Sequence, residues 1–363
     1  MSNARELAEV ATSYAAGNIT GRNRIINGDM RIDQRNAGAA VTSSGFVTDR
    51  FNVQNVSDGA FSAQQDTSAP TDFINSLKVT VTTADASITT TQNLRCDHRI
   101  EGTNVSDLAW GSANAKTVTL SFWVRSSLTG TFGGSINNSA FNRVYPFSYS
   151  ISVADTWEYK TVTIPGDTTG TWLTSTGIGI NITWSLGSGP SRVGTANAWA
   201  ASNLQGVTGQ VQLLETLNAT WYITGVQLEV GSVATPFEYR QFGTELQLCQ
   251  RYFEKSYNQS VVPGSNAAVG MRAVYSSVGS ASNRFFGDLN YVVPKRTNGV
   301  SITFYSETGT TGQISKYNSS STTQSVSSIG FGYGETGIGT YIQTSSGDSS
   351  EPYLFHFTAS SEL

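Results

Sequence analysis

Few side chains in this sequence could carry out covalent chemistry. Histidine, the side chain that most often acts as a general acid or base near neutral pH, occurs only as His98 and His356. The sequence contains neither the Gly-x-Ser-x-Gly turn of a serine hydrolase nor a Gly-Lys phosphate loop. The 26 acidic residues follow no pattern that singles out a pair for glycoside hydrolysis. We therefore predict that the chain is not an enzyme and has no catalytic residues.

One stretch matches a cofactor motif by its letters alone. Gly332, Gly334 and Gly337 have the spacing of the Gly-x-Gly-x-x-Gly turn that binds dinucleotides. That motif needs a helix directly after the turn, whereas these glycines alternate with aromatic residues and no helical pattern follows. The segment is more typical of β structure in which glycines allow close backbone packing. We predict no cofactor.

The tripeptide Cys-Asp-His at residues 96–98 has the residue types of a metal site. Leu94, Cys96, His98 and Ile100 share one face of a predicted strand, so His98 is expected against a core or an interface. No second cluster with the spacing of zinc ligands occurs, and no metal is predicted here. The other cysteine, Cys249, is on the apolar face of a predicted helix, which favours a buried free thiol over a disulfide.

Aromatic residues in a weakly charged chain are the main sign of ligand binding. The sequence has 7 tryptophans and 15 tyrosines, yet only 13% of its residues are charged. Rings that pack on apolar C–H faces, beside neutral hydroxyl and amide groups, suit the recognition of sugars. Trp184 and Trp221 are assigned to hydrophobic cores. The candidate ligand-binding residues are Trp123, Arg125, Arg192, Trp199, Tyr305, Tyr317, Phe331, Tyr333 and Tyr341.

Charge and hydropathy exclude other classes of partner. The formal net charge is −4 and there is no Lys/Arg-rich run, which argues against binding to nucleic acid. No apolar run approaches the roughly 18 residues that a membrane-spanning helix requires, so membrane insertion is not expected. The sequence starts MSNARELAEV, without the apolar segment of a secretory signal peptide.

Most of the chain has the pattern of short strands separated by turns. Val118, Leu120, Phe122 and Val124 alternate with polar residues, as expected for a strand with one buried face. Similar patterns recur along residues 21–240, and their number and spacing suit a jelly-roll β-sandwich of eight to ten strands. After Tyr257, short strands alternate with Ser/Thr-rich loops, which predicts a smaller antiparallel β domain.

The stretch from Trp221 to Tyr257 joins these two parts. Residues Tyr222–Val230 alternate strictly, which predicts a strand with Tyr222, Thr224, Val226, Leu228 and Val230 on one face. From Gly243 the period becomes helical. A second short helix is predicted over residues 3–16. The N-terminal helix is too short to be stable alone, so it needs a partner. It could pack on its own domain, but we expect it to self-associate or to dock onto the upstream part of a fibre, and we assign the linking helix to the same oligomer. The predicted oligomerisation residues are Leu7, Val10, Tyr14, Leu246, Cys249 and Phe253.

The predicted fold class is therefore mainly β: a jelly-roll β-sandwich followed by a smaller antiparallel β domain, with a short N-terminal helix and a short linking helix. The predicted organisation is an attachment or oligomerisation segment at residues 1–20, the sandwich at 21–240, the linking helix at 241–257 and the last β domain at 258–363.

Six segments together resemble the jelly-roll domains of phage tail fibre and receptor-binding proteins, which are similar to carbohydrate-binding modules. They span about residues 22 to 257: NRIINGDMRIDQR, IEGTNVSDLAWG, TLSFWVRSSLTGTF, WEYKTVTIPGDTTGTW, GVQLEVGSVATPFEYR and ELQLCQRYFEKS. The resemblance implies a homotrimeric virion protein of the tail fibre or tail tip. It also implies production in the host cytoplasm, contact with other phage tail proteins, and adhesion to a host cell-surface polysaccharide through the distal domain.

Three alternatives remain open at the level of sequence. The chain could be a carbohydrate-binding module of a surface polysaccharide system outside any virion, or a glycan depolymerase. It could also have an architectural role while another protein recognises the host. Carbohydrate-binding modules similar to this family often hold a structural calcium near the first strand, where Asn27 and Asp29 offer oxygen ligands, but Met30 stands where an acid is common.

Overall fold

The computed structural model describes residues 21–275, 284–318, 320–329, 334–344 and 352–363. The predicted N-terminal helix, with Leu7, Val10 and Tyr14, lies outside these residues, as do Phe331 and Tyr333. Within the described part of the chain, no helix is both long and apolar enough to cross a membrane.

The fold is mainly β, as predicted. The first thirteen strands are β1 (Gly45–Thr48), β2 (Phe51–Val56), β3 (Ala60–Asp66), β4 (Ser76–Thr83), β5 (Asn93–Glu101), β6 (Val118–Ser126), β7 (Gly130–Asn137), β8 (Val144–Ile151), β9 (Glu158–Ile164), β10 (Ile178–Ser188), β11 (Val193–Gly194), β12 (Gly206–Val207) and β13 (Thr220–Val230). The elements that follow are α1 (Phe242–Gln250), β14 (Phe253–Lys255), β15 (Arg272–Tyr275), β16 (Arg284–Asn290), β17 (Ser301–Tyr305), β18 (Gln313–Asn318), β19 (Ser320–Ile329), β20 (Gly337–Thr344) and β21 (Pro352–Ser360).

The chain folds into two compact units, and each unit is built from several separate segments of the sequence. Unit 1 contains residues 21–29, Gln54–Phe61 and Thr67–Arg240. Unit 2 contains Gln241–Leu363 together with Met30–Val53 and Ser62–Asp66. The predicted domain boundaries remain a prediction, because they describe the order of the sequence and not this grouping of segments.

Unit 1 is a sandwich of two antiparallel sheets. One contains β5, β10, β7 and β8 in that spatial order, and the other contains β4, β13, β6 and β9. Among these eight strands, every step along the chain except β7 to β8 crosses from one sheet to the other, which is typical of a jelly roll. The inward faces meet in an aromatic core, where Phe122 lies 5.8 Å from Trp184 and 5.1 Å from Tyr149, measured between ring centroids. Both Trp184 and Trp221 are fully buried, as predicted.

Residues 94–100 of β5 fold as their alternation predicts. Cys96 pairs with Trp184 and His98 with Ile182 across β10, and all four side chains are buried on the core side of the sheet. His98 is therefore a core residue. Burial raises the pKa of the Cys96 thiol, and the Cys96 side chain is a buried free thiol. The described residues contain no group of three or more His, Cys, Asp or Glu that could hold a metal ion.

Unit 2 is built around an eight-stranded antiparallel arrangement. Strands β14, β21, β18, β19, β20 and β16 are neighbours in that order, and β15 and β17 also pair with β21. The core contains Phe304 and Phe355, whose ring centroids are 5.2 Å apart. In the same unit, the buried Lys295 ammonium donates to the Glu254 carboxylate at 2.7 Å and to the Gln250 carbonyl at 2.6 Å. The pair is therefore satisfied without water.

The linking helix is shorter than predicted, and one residue assigned to it is elsewhere. Helix α1 ends at Gln250, while Phe253 begins strand β14 and pairs with Ser360. The assignment of Phe253 to the helix was wrong because an apolar residue at helical spacing also fits the first position of a buried strand. Phe253 is covered within unit 2 by the Arg35 guanidinium, 3.7 Å from the ring centroid, and Cys249 is fully buried. Leu246 is partly exposed, and association through these residues stays a prediction.

Candidate functional site

The outer face of the β4-β13-β6-β9 sheet takes its shape from a bulge in β13. Thr224 pairs with Trp123 and Gln227 with Ser121, so two residues, Gly225 and Val226, occupy the place of one. The strict alternation predicted for Tyr222–Val230 was therefore wrong. Before the bulge, Tyr222 and Thr224 are on the outer side; after it, Leu228 is on the core side. A glycine inside a strand is the sequence signal that could have revealed this shift.

Trp123 and Tyr159 form the first group of rings on this face. They pair directly across β6 and β9, and their ring centroids are 5.4 Å apart at an interplanar angle of 49°. Trp123 is partly exposed, and the Tyr159 side chain is 42% exposed. Along β9, Thr161 and Thr163 continue the same face and are exposed, and the Thr163 hydroxyl donates to the Ser232 carbonyl at 3.1 Å. Ring faces and hydroxyl groups are therefore presented side by side.

Phe73, Phe237 and Tyr239 form the second group of rings. Phe73 lies 5.2 Å from Phe237 and 5.5 Å from Tyr239, and Phe237 lies 4.8 Å from Tyr239, all between ring centroids. The Tyr239 hydroxyl donates to the Asp72 carbonyl at 2.8 Å, and its side chain is 52% exposed. Ile74, beside this group in sequence, is also exposed.

Residues 231–240 fold back along the sheet and so place Phe237 and Tyr239. The Glu229 carboxylate accepts hydrogen bonds from the Thr235 backbone N–H at 2.8 Å and from its hydroxyl at 2.6 Å. The Gln227 side-chain oxygen accepts from the Glu238 N–H at 2.8 Å. Both acceptors are buried, so these bonds fix the path of the returning segment.

Gly225 joins the two groups of rings into one surface. A Cβ atom at this position would lie 2.7 Å from Phe73 Cζ and 3.0 Å from Trp123 Cδ1. Both rings therefore pack directly on the backbone of Gly225, and this residue contacts one ring from each group. We name the surface formed by Phe73, Trp123, Tyr159, Phe237 and Tyr239 the aromatic strip. Its two most exposed tyrosines, Tyr159 and Tyr239, belong to different groups.

Arg125, the second residue predicted on this face, lies one row away from Trp123. Its guanidinium donates to the Ser68 hydroxyl at 3.0 Å and to the exposed Asp155 carboxylate at 3.4 Å. The Arg125 guanidinium carbon also lies 5.0 Å from the centroid of the Tyr222 ring. These contacts fix the guanidinium beside the rings while the side chain stays partly exposed. Together, Arg125 and Asp155 offer donors and acceptors to a polar ligand.

A carboxylate at the edge of the sheet organises the turn beside Tyr159. Glu158 accepts hydrogen bonds from the Ser152 and Val153 N–H groups at 2.7 and 2.9 Å, and from Lys160 at 2.6 Å. Burial raises the pKa of Glu158, but these hydrogen bonds outweigh it, and the net direction of the pKa shift is downward. Glu158 therefore stays ionised and paired, and serves as a structural anchor for β9.

Trp199 lies in a different ring cluster, formed by loops at one end of unit 1. Trp110, Trp172 and Trp199 are near-perpendicular to one another, with ring centroids 4.6 to 5.6 Å apart, and Tyr145 lies 5.2 Å from Trp199. We name these four residues the tryptophan cluster. The Trp199 indole N–H donates to the Pro165 carbonyl at 3.0 Å. The rings pack edge to face; Trp110 and Tyr145 are buried, and Trp172 and Trp199 are partly exposed.

An ion pair fixes the loops around the tryptophan cluster. Arg143 donates to both carboxylate oxygens of Asp167, at 2.7 and 2.6 Å, and the Trp172 indole N–H donates to the same carboxylate at 3.2 Å. Burial raises the pKa of Asp167, but the hydrogen bond from Arg143 outweighs this, so the pKa of Asp167 lies below its ordinary value. The same hydrogen bond raises the pKa of Arg143. This bidentate pair connects two loops and Trp172.

The remaining predicted ligand residues are not brought together with the aromatic strip by any described contact. Arg192 lies in the turn Pro190–Arg192 and donates to the Asn203 carbonyl at 3.4 Å. In unit 2, Tyr305 lies 5.9 Å from Tyr257 between ring centroids and is partly buried. Tyr317 is in β18 and Tyr341 in β20.

His356 makes contacts that are typical of a structural histidine. Its Nδ1 lies 2.9 Å from the Ser256 hydroxyl and its Nε2 lies 2.8 Å from the Ala267 carbonyl, so the ring donates through Nε2. The Ser256 hydroxyl oxygen also accepts from the Phe357 N–H at 2.9 Å. Burial lowers the pKa of His356, and the ring stacks on Tyr257 at 3.6 Å. The imidazole is buried and connects three segments of unit 2.

Sequence reasoning identified Trp123 and Arg125 on this face but missed four rings of the aromatic strip. Tyr159 lies on the same outer face of β9 as Thr161 and Thr163. The pairing of β9 with β6 shows this, but that pairing cannot be read from the sequence alone. Phe237 and Tyr239 are two residues apart after Pro236, a pattern that reads as a turn. Their approach to Phe73 depends on contacts more than 160 residues apart in sequence, which no local pattern reports.

No protein-family model and no curated protein sequence match this chain. Among solved structures, the chain is similar to the enzymatically active domain of tailspike protein 4 of bacteriophage CBA120, with 12% identity and a TM-score of 0.32. That match covers 59% of this chain but only 22% of the tailspike chain. It is thus limited to a minor part of the tailspike.

Two carbohydrate-binding modules are also similar to this chain. The first, TmCBM61 in complex with β-1,4-galactotriose, has 8% identity and a TM-score of 0.28, with 58% of this chain and 99% of the module covered. The second is the family 11 module from Clostridium thermocellum in complex with a mixed-linked tetrasaccharide, with 12% identity, a TM-score of 0.28 and 54% and 98% covered. The β-sandwich is established by the strand pairing of this chain itself, independently of these similarities.

Proposed function

We propose that the chain is a non-enzymatic adhesion protein of a phage tail fibre or tail tip, which binds a host cell-surface glycan. The observation that carries this proposal is the aromatic strip, which lies in unit 1 and not in the C-terminal domain from which the resemblance led us to expect adhesion. It presents partly exposed rings on a rigid sheet beside the hydroxyl groups of Thr161 and Thr163. Pyranose rings have one or two apolar C–H faces and many hydroxyl groups, so they match this combination of surfaces.

The charge around the strip is consistent with a sugar ligand. Arg125 and Asp155 form an exposed pair 3.4 Å apart, which offers a donor group and an acceptor group with little net charge. Such a surface gives no general attraction for nucleic acid. It would instead recognise a ligand through hydrogen bonds and ring stacking, and each contact alone would be weak.

Weak single contacts are sufficient if several copies bind together. The segments that resemble phage receptor-binding proteins support a homotrimer attached to other tail proteins in the virion. Three strips on one fibre would then engage a repetitive polysaccharide at once, which raises the overall affinity by avidity. Mass measurement by light scattering tests the trimer: a stable 38.8 kDa monomer at micromolar concentration contradicts this part of the proposal.

The binding test uses immobilised surface polysaccharide from a susceptible host. We expect the full chain to be retained and the double variant Tyr159→Ala/Tyr239→Ala to be lost, since both rings are exposed and contribute little to folding. Leu217→Ala is a matched control, because Leu217 is 56% exposed in unit 1 and is not part of the aromatic strip. Equal retention of the double variant and the wild type would contradict binding through the strip.

Two further outcomes separate this proposal from its alternatives. New reducing ends after incubation with the polysaccharide would indicate a depolymerase in place of an adhesin. Failure of the purified chain to compete with phage for adsorption, despite retention on the polysaccharide, would favour a binding module outside any virion.

A further inference from the structure

The conformation of Gly225 constrains what can lie on the aromatic strip. Its φ angle is +61°, in the region that glycine adopts without strain, and it sits in the β13 bulge. Phe73 and Trp123 approach the position of its missing side chain to 2.7 and 3.0 Å. A residue with a side chain would therefore push at least one of these rings away from the sheet, and the two ring groups would separate.

The continuity of the strip sets the length of ligand that it fits. Trp123 and Tyr159 are 5.4 Å apart, Phe73 and Tyr239 are 5.5 Å apart, and the Gly225 contacts join these pairs end to end. Each spacing is comparable with the length of one pyranose unit. Tyr159 contacts Trp123, while Tyr239 contacts Phe73 and Phe237, so Trp123, Gly225 and Phe73 lie between the two tyrosines in this series of contacts. A ligand that contacts both tyrosines through this series of rings therefore extends across Gly225.

We propose that the aromatic strip binds an unbranched stretch of at least three sugar units within a polysaccharide, and that Gly225 is the positioning residue that keeps its two ring groups continuous. This inference rests on the proposed function as a glycan adhesin and specifies its ligand class. A branch or bulky substituent on the central unit would meet the rings that converge on Gly225. Linear internal segments, and not chain ends, are the ligand.

The test measures affinity against ligand length. The probe is a size-fractionated partial hydrolysate of the polysaccharide that the full chain retains, from monosaccharide to hexasaccharide. We expect affinity to rise through the trisaccharide, by about two- to tenfold for each additional ring contacted. In Tyr239→Ala, we expect the monosaccharide to bind as in the wild type and the gain for longer oligomers to be reduced.

Gly225→Ala tests the positioning role against a control with the same backbone requirement. Gly209 has a φ angle of +80° and no atom within 4 Å of its absent Cβ, so Gly209→Ala carries backbone strain without ring contact. We expect both variants to lose thermal stability, and only Gly225→Ala to lose the dependence of affinity on ligand length. If Gly225→Ala fails to fold, the Tyr239→Ala series alone decides the inference.

The failures of the two proposals are distinguishable. Monosaccharide and hexasaccharide binding with equal affinity, or Tyr239→Ala with an unchanged length dependence, would overturn the linear-segment inference and leave glycan adhesion intact. A full chain that is not retained by the polysaccharide at all would overturn the proposed function, and this inference with it.

Discussion

The aromatic strip and the tryptophan cluster are both rich in rings, but they differ in how the rings are held. In the tryptophan cluster, each indole contacts another ring nearly at right angles, and the loops are fixed by the Arg143–Asp167 pair. In the aromatic strip, the rings rest on a sheet, and the two tyrosines, one in each ring group, are about half exposed. Aromatic content alone therefore does not identify a binding surface; the strip is distinguished by its two tyrosines, which are more exposed than any ring of the tryptophan cluster.

The largest effect on stability is expected when the Asp167 carboxylate beside the tryptophan cluster is removed. Replacing Asp167 with Ala leaves Arg143 without its bidentate partner and Trp172 without an acceptor, since Asp167 is 1% exposed. We expect the free energy of unfolding to fall by about 3–5 kcal/mol, measured by denaturant titration. Retention of the folded variant on polysaccharide should stay at the wild-type level. Loss of binding without loss of stability would transfer the binding role to this cluster.

The second-largest effect is expected on polysaccharide binding, with little change in the stability of the fold. Tyr159→Ala/Tyr239→Ala removes two exposed rings, each worth about 0.5–1.5 kcal/mol in stacking, so we expect the dissociation constant for polysaccharide to rise about tenfold to a hundredfold. The free energy of unfolding should change by about 1 kcal/mol or less for the two exposed positions together. A large loss of stability would mean that these rings support the fold, and the contrast between the two regions would disappear.

Lowering the pH should reduce the stability that the ion pair at the tryptophan cluster contributes, and it should not affect the aromatic strip. The folded state holds the pKa of Asp167 below its ordinary value of 3.8, so it binds this proton less readily than the unfolded state does. The stabilisation is therefore present above about pH 4 and is lost as the pH falls through the folded pKa, with a slope of at most about 1.4 kcal/mol per pH unit. In Asp167→Asn this part of the acid dependence should be absent, as judged by unfolding free energies across the acid range. An unchanged acid profile would contradict the role of the pair.

The smallest effect is expected at the exposed pair beside the strip. Asp155→Asn removes the partner of Arg125 at 3.4 Å, where the carboxylate is 58% exposed. Water screens such pairs, so the unfolding free energy should change by less than about 1 kcal/mol. If Asp155 accepts hydrogen bonds from sugar hydroxyl groups, the dissociation constant should rise severalfold while stability is retained. A stability loss like that of Asp167→Ala would show that this pair is also a structural element.

The strands of unit 1 were predictable because burial of one face imposes a period of two. The alternation of Val118–Val124 identified Phe122 as a core residue and Trp123 as outward, and both assignments are confirmed. The bulge at Gly225 was not predicted, because strict alternation was extended through a glycine. After the bulge, each side chain of β13 faces the side of the sheet opposite to the one that strict alternation predicts.

The rest of the candidate site depends on contacts that a local pattern does not contain. Phe73 and Tyr239 are in contact because residues 231–240 return along the sheet, held by the buried side chains of Gln227 and Glu229. Those side chains looked like ordinary polar positions of a strand. Trp199 lies in a loop, as predicted, but no local pattern indicated its contacts with Trp110 and Trp172, and its role in ligand binding stays a prediction.

The most direct test of glycan adhesion through the strip compares dissociation constants for the host surface polysaccharide. The full chain, Tyr159→Ala/Tyr239→Ala and Leu217→Ala are titrated side by side under identical salt conditions. We predict measurable affinity for the wild type and Leu217→Ala, and at least about a tenfold loss for the strip variant. Equal dissociation constants for all three proteins would contradict the account.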